Sequence, residues 1–429
     1  MRTRNLAVAL ATSALLIGAL TAPTLAAGPK ASSFAPVLDP NTTKVVDDDG
    51  LAGVTDDGSP DCLDGFAPVT NPPGSGQDAR VFATIQAAVT AAVAGDNIFV
   101  CPGVYRETVT VSTTVALIGP YAGVAAQRCE PRGLAGQATV VGNGDWALKI
   151  QADNVVVDGL RFANTPAGGI WTDPTHSGYL VTDNFIANNG TGMSFGASGA
   201  VSSNVIENCF WDNNNGGPGN GIAATGGLMS AWIQYNGFNG HRVAAINIDG
   251  STNAAGSLNL VHNISTDDVS FLLAKTVATG LVFQNRVTDT DDISVPGAAI
   301  KVSGASTAFN IRLNKFNANH TDGIVLTDTS AATITRNVIT GTGNGITISS
   351  SLAGAANVAH NRVSFVSGTA YLVTSVASGN TLAHNLAKGI ANIHCEDDST
   401  GAGTAGTANT WTHDHMPAFG VSVPLELCN

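Results

Sequence analysis

Val181-Thr182-Asp183-Asn184-Phe185-Ile186 is followed by Val201-Ser202-Ser203-Asn204-Val205-Ile206, and the same phrase then returns along the rest of the chain. It has two or three β-formers, then Asn, then an apolar residue nearby. Further copies are Ile233-Gln234-Tyr235-Asn236, Leu260-Val261-His262-Asn263, Val282-Phe283-Gln284-Asn285 and Ile311-Arg312-Leu313-Asn314. Ile334-Thr335-Arg336-Asn337, Val358-Ala359-His360-Asn361 and Leu382-Ala383-His384-Asn385 complete the series. The intervals between these Asn residues are 20, 32, 27, 22, 29, 23, 24 and 24. A period in the low twenties, stretched by insertions, fits one coil of a β-solenoid built from three short strands.

A second phrase falls between successive Asn residues, with a small residue before an alternating apolar strand. Gly192-Met193-Ser194-Phe195, Ala245-Ile246-Asn247-Ile248, Gly323-Ile324-Val325-Leu326 and Gly345-Ile346-Thr347-Ile348 are examples. Alternation turns one side chain inward and the next outward. Strands this short need a neighbouring coil on each edge. Asn tolerates a left-handed backbone, and its amide both donates and accepts. Stacked at one turn of every coil, the Asn side chains are expected to form a hydrogen-bonded ladder along the axis, an architectural role.

Upstream, Phe82 to Val93 places Ile85, Ala88, Val89 and Ala92 on one helical face. A helix near 82–94, ended by Gly95-Asp96, would cover the open end of the stack. A strand at Asn97 to Cys101 follows, then a turn at Pro102 to Tyr105, then strands at Glu107 to Val111 and Val115 to Ile118. The expected fold is all-β, a right-handed parallel β-helix over 80–395 with an N-terminal capping helix. Residues 28–79 read as a partly ordered extension and 396–429 as a disulfide-stapled C-terminal segment.

Arg2 and Arg4, the apolar run Leu6 to Leu20 and the small residues through Ala26 and Ala27 read as a signal peptide over 1–27. Secretion to the cell exterior as a monomer without membrane insertion is the corresponding expectation. The formal net charge is −13, and losing Arg2 and Arg4 takes it to −15. Such a chain is a poor overall match for nucleic acid or anionic lipid. Only 12% of residues are charged and 49 are Gly, which is too apolar for disorder and too poor in helix formers for a helical protein.

An even count of 6 Cys in an exported chain suggests disulfides. Cys395 with Cys428 would staple the C-terminus, and Cys62 with Cys101 would tie the extension to an early strand. Cys129 and Cys209 are left without an argument for pairing. None of the Cys residues has the spacing of a zinc site.

Several stretches carry a family resemblance. Phe82-Ala83-Thr84-Ile85-Gln86-Ala87-Ala88-Val89, Gly95-Asp96, Val100-Cys101-Pro102-Gly103-Val104-Tyr105-Arg106-Glu107 and Leu117-Ile118-Gly119 resemble the opening of pectin-lyase-like β-helix proteins. The match is nearest to secreted β-helix repeat proteins of the carbohydrate-binding and sugar-hydrolase (CASH) type. The tail, Gly403-Thr404-Ala405-Gly406-Thr407-Ala408-Asn409-Thr410-Trp411 with the terminal Cys428, is similar to theirs. This resemblance implies the fold over about residues 80 to 429 and extracellular polysaccharide as partner. It does not bring an active site. Asp158-Gly159-Leu160-Arg161-Phe162-Ala163-Asn164-Thr165-Pro166-Ala167-Gly168 is similar to a pectin methylesterase segment, but the later motifs with the catalytic Asp and Arg residues are missing. Gly240-His241-Arg242 precedes the Asp pairs rather than following them as in polygalacturonases. Thr175 interrupts the epimerase-like Thr172-Asp173-Pro174-Thr175-His176.

The turn after each Asn offers a candidate site. His241 and Arg242 follow Asn236, Asp267 and Asp268 follow Asn263, Asp291 and Asp292 follow Asn285, and His320 and Asp322 follow Asn314. In register, these fall on one side of consecutive coils about 4.8 Å apart. Carboxylates at such spacings suit glycosidase chemistry, while Asp267, Asp268, Asp291 and Asp292 could share Ca²⁺. Asp and His are also ordinary turn residues. Trp146, Trp171, Trp211 and Trp232 are expected to plug insertions or fill the core rather than to form a sugar-stacking platform.

Two functions follow as expectations. One is binding or processing of extracellular polysaccharide, by hydrolase or lyase chemistry if catalytic. The other is a structural or adhesive surface role without a catalytic site. A compact groove of acids with His or Arg would favour the first, and smooth Thr- and Asn-lined faces the second.

Overall fold

A computed structural model describes residues 43–47, 81–129, 136–199, 201–225, 228, 230–250, 255–288, 297–317, 320–329, 331–350 and 356–429. They all fall within one of the chain's two compact units, Pro36–Asn429. The chain forms a parallel β-solenoid of three sheets, with 15, 12 and 13 strands. Every strand pairing is parallel, and each coil gives one strand to each sheet in turn. The strand at Val156–Asp158, for example, pairs with Ala116–Ile118 before it and Leu180–Thr182 after it.

Register brings like to like in the core. On the 15-stranded sheet the inward column runs Val157, Val181, Val205, Ile233, Leu260, Val282, Ile311, Ile334, Val358, Leu382 and finally Trp411. All are buried. The 12-stranded sheet stacks Phe162, Ile186, Phe210 and Phe238, whose last two rings lie 5.1 Å apart and nearly parallel. Ser265 then interrupts that apolar column. Burying such a side chain contributes about 1.5–3 kcal/mol, so each coil is held mainly by its neighbours and weakly by itself.

The ends are closed as their sequences require. The helix spans Ile85–Ala91, shorter than the 82–94 expected because Ala92 already has extended backbone. Ile85, Ala88 and Val89 are buried on the first coils. Thr84 caps the helix by accepting from Ala87 N at 3.2 Å, and the Glu107 carboxylate accepts from Ile85 N and Gln86 N at 2.8 and 2.9 Å. Gly103–Arg106 is a strand of the 12-stranded sheet, where a turn was expected. The alternation that buries Tyr105 between exposed Val104 and Arg106 overrides the Pro-Gly signal. Thr43–Val46 adds a parallel strand beside Asn97–Val100. At the other end Thr410–Thr412 continues the 15-stranded sheet, and Ser422–Val423 pairs with Cys395–Asp397.

Cys395 and Cys428 are disulfide-bonded. Cys129 and Cys209 also join, a pairing the sequence gave no reason to expect. Cys101 is disulfide-bonded, while Cys62, its expected partner, lies outside the described residues, as do residues 1–27 and all of 28–79 but 43–47. Trp146, Trp171, Trp211 and Trp232 are half-buried on the outside. Only Trp411 fills the core.

Candidate functional site

Two corners of each coil carry the polar chemistry, and both use the same two-residue device. At the corner between the 15- and 12-stranded sheets, one residue takes a left-handed backbone and points out. The next turns its side chain in. Asp183, Glu207, Tyr235, His262, Gln284, Leu313, Arg336, His360, His384 and His413 all have φ between +53° and +58°. The buried residues that follow are Asn184, Asn208, Asn236, Asn263, Asn285, Asn314, Asn337, Asn361, Asn385 and Asp414. From Asn208 on, each Asn side-chain oxygen accepts both the backbone N–H and the side-chain amide of the preceding coil, as in Asn236 to Asn263 at 3.0 and 3.1 Å, while Asn184 accepts from Leu160 N at 2.9 Å. The amide also returns to its own coil, as from Asn208 Nδ2 to Ile206 O at 2.9 Å.

The expected ladder therefore exists, with two corrections. The left-handed residue is the one before the Asn. And Asn208, not Asn204, occupies the column: Asn204 lies outward on its strand, in register with Leu180 and Trp232. The intervals become 24 and 28 in place of 20 and 32.

The corner between the 12- and 13-stranded sheets repeats the device. Asn164, Asn188, Asp212, Gly240 and Asp267 are left-handed and point out. Thr165, Asn189, Asn213, His241 and Asp268 follow, all buried. His241 and Asp268 are thus rungs of a second ladder. Asn213 Oδ1 accepts from Asn189 N and Nδ2 at 3.2 and 3.1 Å, so its amide nitrogen faces His241 Nε2 at 3.2 Å. That nitrogen must accept, which leaves Nδ1–H to donate to Asp268 Oδ1 at 2.6 Å. His241 N adds 2.8 Å to the same oxygen, and Ser265 Oγ donates to Asp268 Oδ2 at 2.6 Å. Ser265 is the polar exception in the core column because it completes this carboxylate's shell.

Ser, His and Asp meet here, but the hydroxyl donates to the carboxylate and not to the imidazole. The His241 and Asp268 side chains are both 0% exposed. Ser265 is fully buried and its hydroxyl is committed to Asp268. His320 is also buried, its Nε2 3.1 Å from Asp268 O. The other expected residues lie apart from this network. Arg242 is exposed and donates to Gly217 O at 2.7 Å. Asp267 is half-buried at its outward turn position. Asp322 accepts from Asn344 Nδ2 and Thr347 Oγ1, each at 3.0 Å. Asp291 and Asp292 lie outside the described residues, and among those described no cluster of His, Cys, Asp or Glu has metal-binding geometry.

Sequence reasoning passed over a segment on the outside of the first corner. After Ile118 the chain leaves the coil and runs over several turns. Tyr121 N and Ala126 N donate to Gly159 O and Glu207 O at 3.2 and 2.7 Å, and Cys129 is stapled to Cys209. Phe185, Trp211 and Ala126 pack around that disulfide. Gly123 N donates to Asp183 Oδ2 at 3.1 Å and to Asp158 Oδ1 at 3.3 Å. Burial raises the Asp158 carboxyl above its ordinary range, against the Gly123 N–H and a hydrogen bond with Asp183. Two acids on successive coils, held under one backbone N–H, fasten this arm.

The outer surface has two further features. The 15-stranded sheet presents the column Asn204, Trp232, Asn259, Leu281, Asn310, Thr333, Asn357, Thr381 and Thr410. At the first corner, His360 stacks on His384 at 5.1 Å and His384 on His413 at 4.9 Å, nearly parallel. Tyr235 and His262 stack likewise at 4.9 Å. Compared with known protein families and curated proteins, the chain matches no family model and no curated relative. Fold and surface define it as a capped parallel β-solenoid.

Proposed function

We propose that this chain is an extracellular polysaccharide-binding β-helix of the type its opening segment resembles, and that it binds without turning its ligand over. The observation that carries the reading is the outward column of the 15-stranded sheet. Asn204, Trp232, Asn259, Asn310, Thr333, Asn357, Thr381 and Thr410 occupy it at one per coil, with Leu281 interrupting the run between Asn259 and Asn310. Amides and hydroxyls at about 4.8 Å intervals offer an extended, hydroxyl-rich chain a run of matched partners. Trp232 sits half-buried among them. Against hydrolase or lyase chemistry stands the burial of His241, Asp268 and His320.

A structural or adhesive role is the second reading, and the smooth Thr- and Asn-lined end of the same column favours it. The deciding experiment is a polysaccharide panel, with and without Ca²⁺, on the chain lacking residues 1–27. Retention on at least one polymer, lost in Trp232→Ala with Asn259→Ala, and no release of reducing or unsaturated ends, is the expected result. Turnover abolished by Asp267→Asn and Asp322→Asn would establish an enzyme instead. No retention on any polymer would leave the structural role.

A further inference from the structure

The C-terminal half of the first corner is strongly cationic in a chain whose formal net charge is −13. Arg312, Arg336 and Arg362 sit at or beside the left-handed turn, and Arg286, Lys315 and Lys388 point outward on the adjoining 12-stranded sheet. All six are exposed. The segments that carry them, 282–288, 311–317, 334–340, 358–364 and 382–388, contain no Asp or Glu. Arg286 and Lys315 are direct neighbours in register. Among the described residues none of the six has an anionic partner; Arg312 rests on the Phe283 ring at 4.8 Å. At the N-terminal end of the same corner the turn positions hold Asp158, Asp183 and Glu207, while the column of Arg286 and Lys315 holds the half-buried Arg161 there.

Like charges facing each other across a ladder destabilise a sheet, and nothing in the described structure neutralises these. At least one cation per coil, with two on the coil of Arg312 and Lys315, over coils about 4.8 Å apart makes a strip roughly 20 Å long. A small anion would use one or two of these groups. A linear polyanion would use all of them.

We infer that this strip is the binding site for an anionic polysaccharide, a carboxylated or sulfated chain lying along the solenoid axis. The inference rests on the polysaccharide-binding reading and names the class of polymer. The stacked imidazoles of His360, His384 and His413 lie beside the strip with their faces occupied by one another. They present edges, which suits hydrogen bonding to anionic oxygens better than stacking on sugar rings. Equivalent nitrogens of rings stacked about 5 Å apart lie too far apart to share a metal with bonds near 2.1 Å, so the stack is not read as a metal site.

The test is equilibrium binding of the chain lacking residues 1–27 to polygalacturonate, dextran sulfate, unmodified dextran and single-stranded DNA, each at low and high salt. The variant is Arg312→Gln, Lys315→Gln, Arg336→Gln and Arg362→Gln together. Arg106→Gln with Lys149→Gln is the control for lost charge elsewhere. Expected is binding to at least one anionic polysaccharide that weakens steeply with salt and falls about tenfold or more in the strip variant, with the control unchanged. An equal thermal midpoint shows that the variant is folded. If it is not, Arg312→Lys with Arg336→Lys and Arg362→Lys must keep the affinity. Binding of dextran alone, indifferent to salt and to the strip, overturns this inference and leaves the proposed function standing. DNA bound more tightly than either anionic polysaccharide through the same residues overturns the choice of polymer. No binding to any probe overturns both.

Discussion

At the residue scale, the ladders show how little separates a structural side chain from a catalytic-looking one. Asp414 ends the first ladder where each earlier rung is Asn. Its Oδ1 accepts from Asn385 N and Nδ2 at 2.8 and 2.9 Å, while Oδ2 is buried without a partner among the described residues. Burial pushes this carboxyl up to about 6. A group whose folded value is raised contributes stability below its unfolded value and loses that contribution as pH rises through the folded one. Asp414→Asn, which restores an amide at the rung, should therefore raise the thermal midpoint at pH 7 and have little effect near pH 4. The difference should reach up to about 3 kcal/mol. A midpoint gain that is the same at both pH values would refute the assignment. The buried Asp268, by contrast, has both carboxylate oxygens bonded. Asp268→Ala leaves His241 N–H, His241 Nδ1–H and Ser265 O–H without an acceptor, and should cost about 3 kcal/mol in chemical denaturation. His241→Asn continues the Asn189–Asn213 pattern and should be far milder than His241→Leu. The ladder itself was legible in the sequence, because one residue type recurs at one phase. The error at Asn204 arose because Asn204 and Asn208 lie four residues apart, both preceded by β-formers. Only the more even spacing of 24 and 28 separates them. The second ladder was not legible as a ladder because its rungs change from amide to imidazole to carboxylate, which hides that they do one job.

At the element scale, the arm after Ile118 is the part of the fold that no periodicity announces. A segment lying across coils has no repeat of its own, and its anchors, Gly159, Asp183, Glu207 and Cys209, are scattered along the chain. Gly159 has φ +68°, and a Cβ there would come within 2.0 Å of Ala122 N. Gly159→Ala should lift the arm while leaving the solenoid intact, seen as faster amide exchange confined to Tyr121 through Arg128. Uniformly faster exchange across all coils would contradict this. The raised Asp158 carboxyl gives the arm a pH dependence as well. Its share of the anchoring should be present in acid and be lost as pH rises through the folded value. Amide exchange in the same segment, corrected for its intrinsic pH dependence, checks this. The capping helix was more legible, because an amphipathic face is a local signal. Its true limits depend on Glu107, which accepts at its N-terminus from two strands further on.

At the scale of the whole molecule, a chain of 429 residues needs no second core, since stacking replaces enlargement. The weakness of such a design lies at its ends, where backbone edges await pairing. Cys395–Cys428 holds the C-terminal segment in place. Replacing both with Ser should loosen Ser422–Val423 from Cys395–Asp397, expose that edge and promote self-association, read by light scattering as a rise in mass with concentration. An unchanged mass would mean that the network of Asn409, Trp411 and Asp397 closes the end alone. The architecture was readable in the sequence because every coil repeats it. The cationic strip was not, since an overall net charge averages a line of residues at one corner into the rest of the chain.

The left-handed corner position carries one more implication. Asp, Glu, Tyr, His, Gln, Leu and Arg all occupy it in successive coils, and among the described residues no β-branched one does. The scaffold constrains the backbone there and leaves the side chain unspecified, because the next residue supplies the inward hydrogen bonds. The corner is a pegboard, with one hole about every 4.8 Å. Away from the arm that Asp183 helps to fasten, one unbranched side chain can replace another in these holes without disturbing the rest. New surface chemistry, whether arising by drift or by design, can be written along this line at fixed intervals while the fold beneath stays the same.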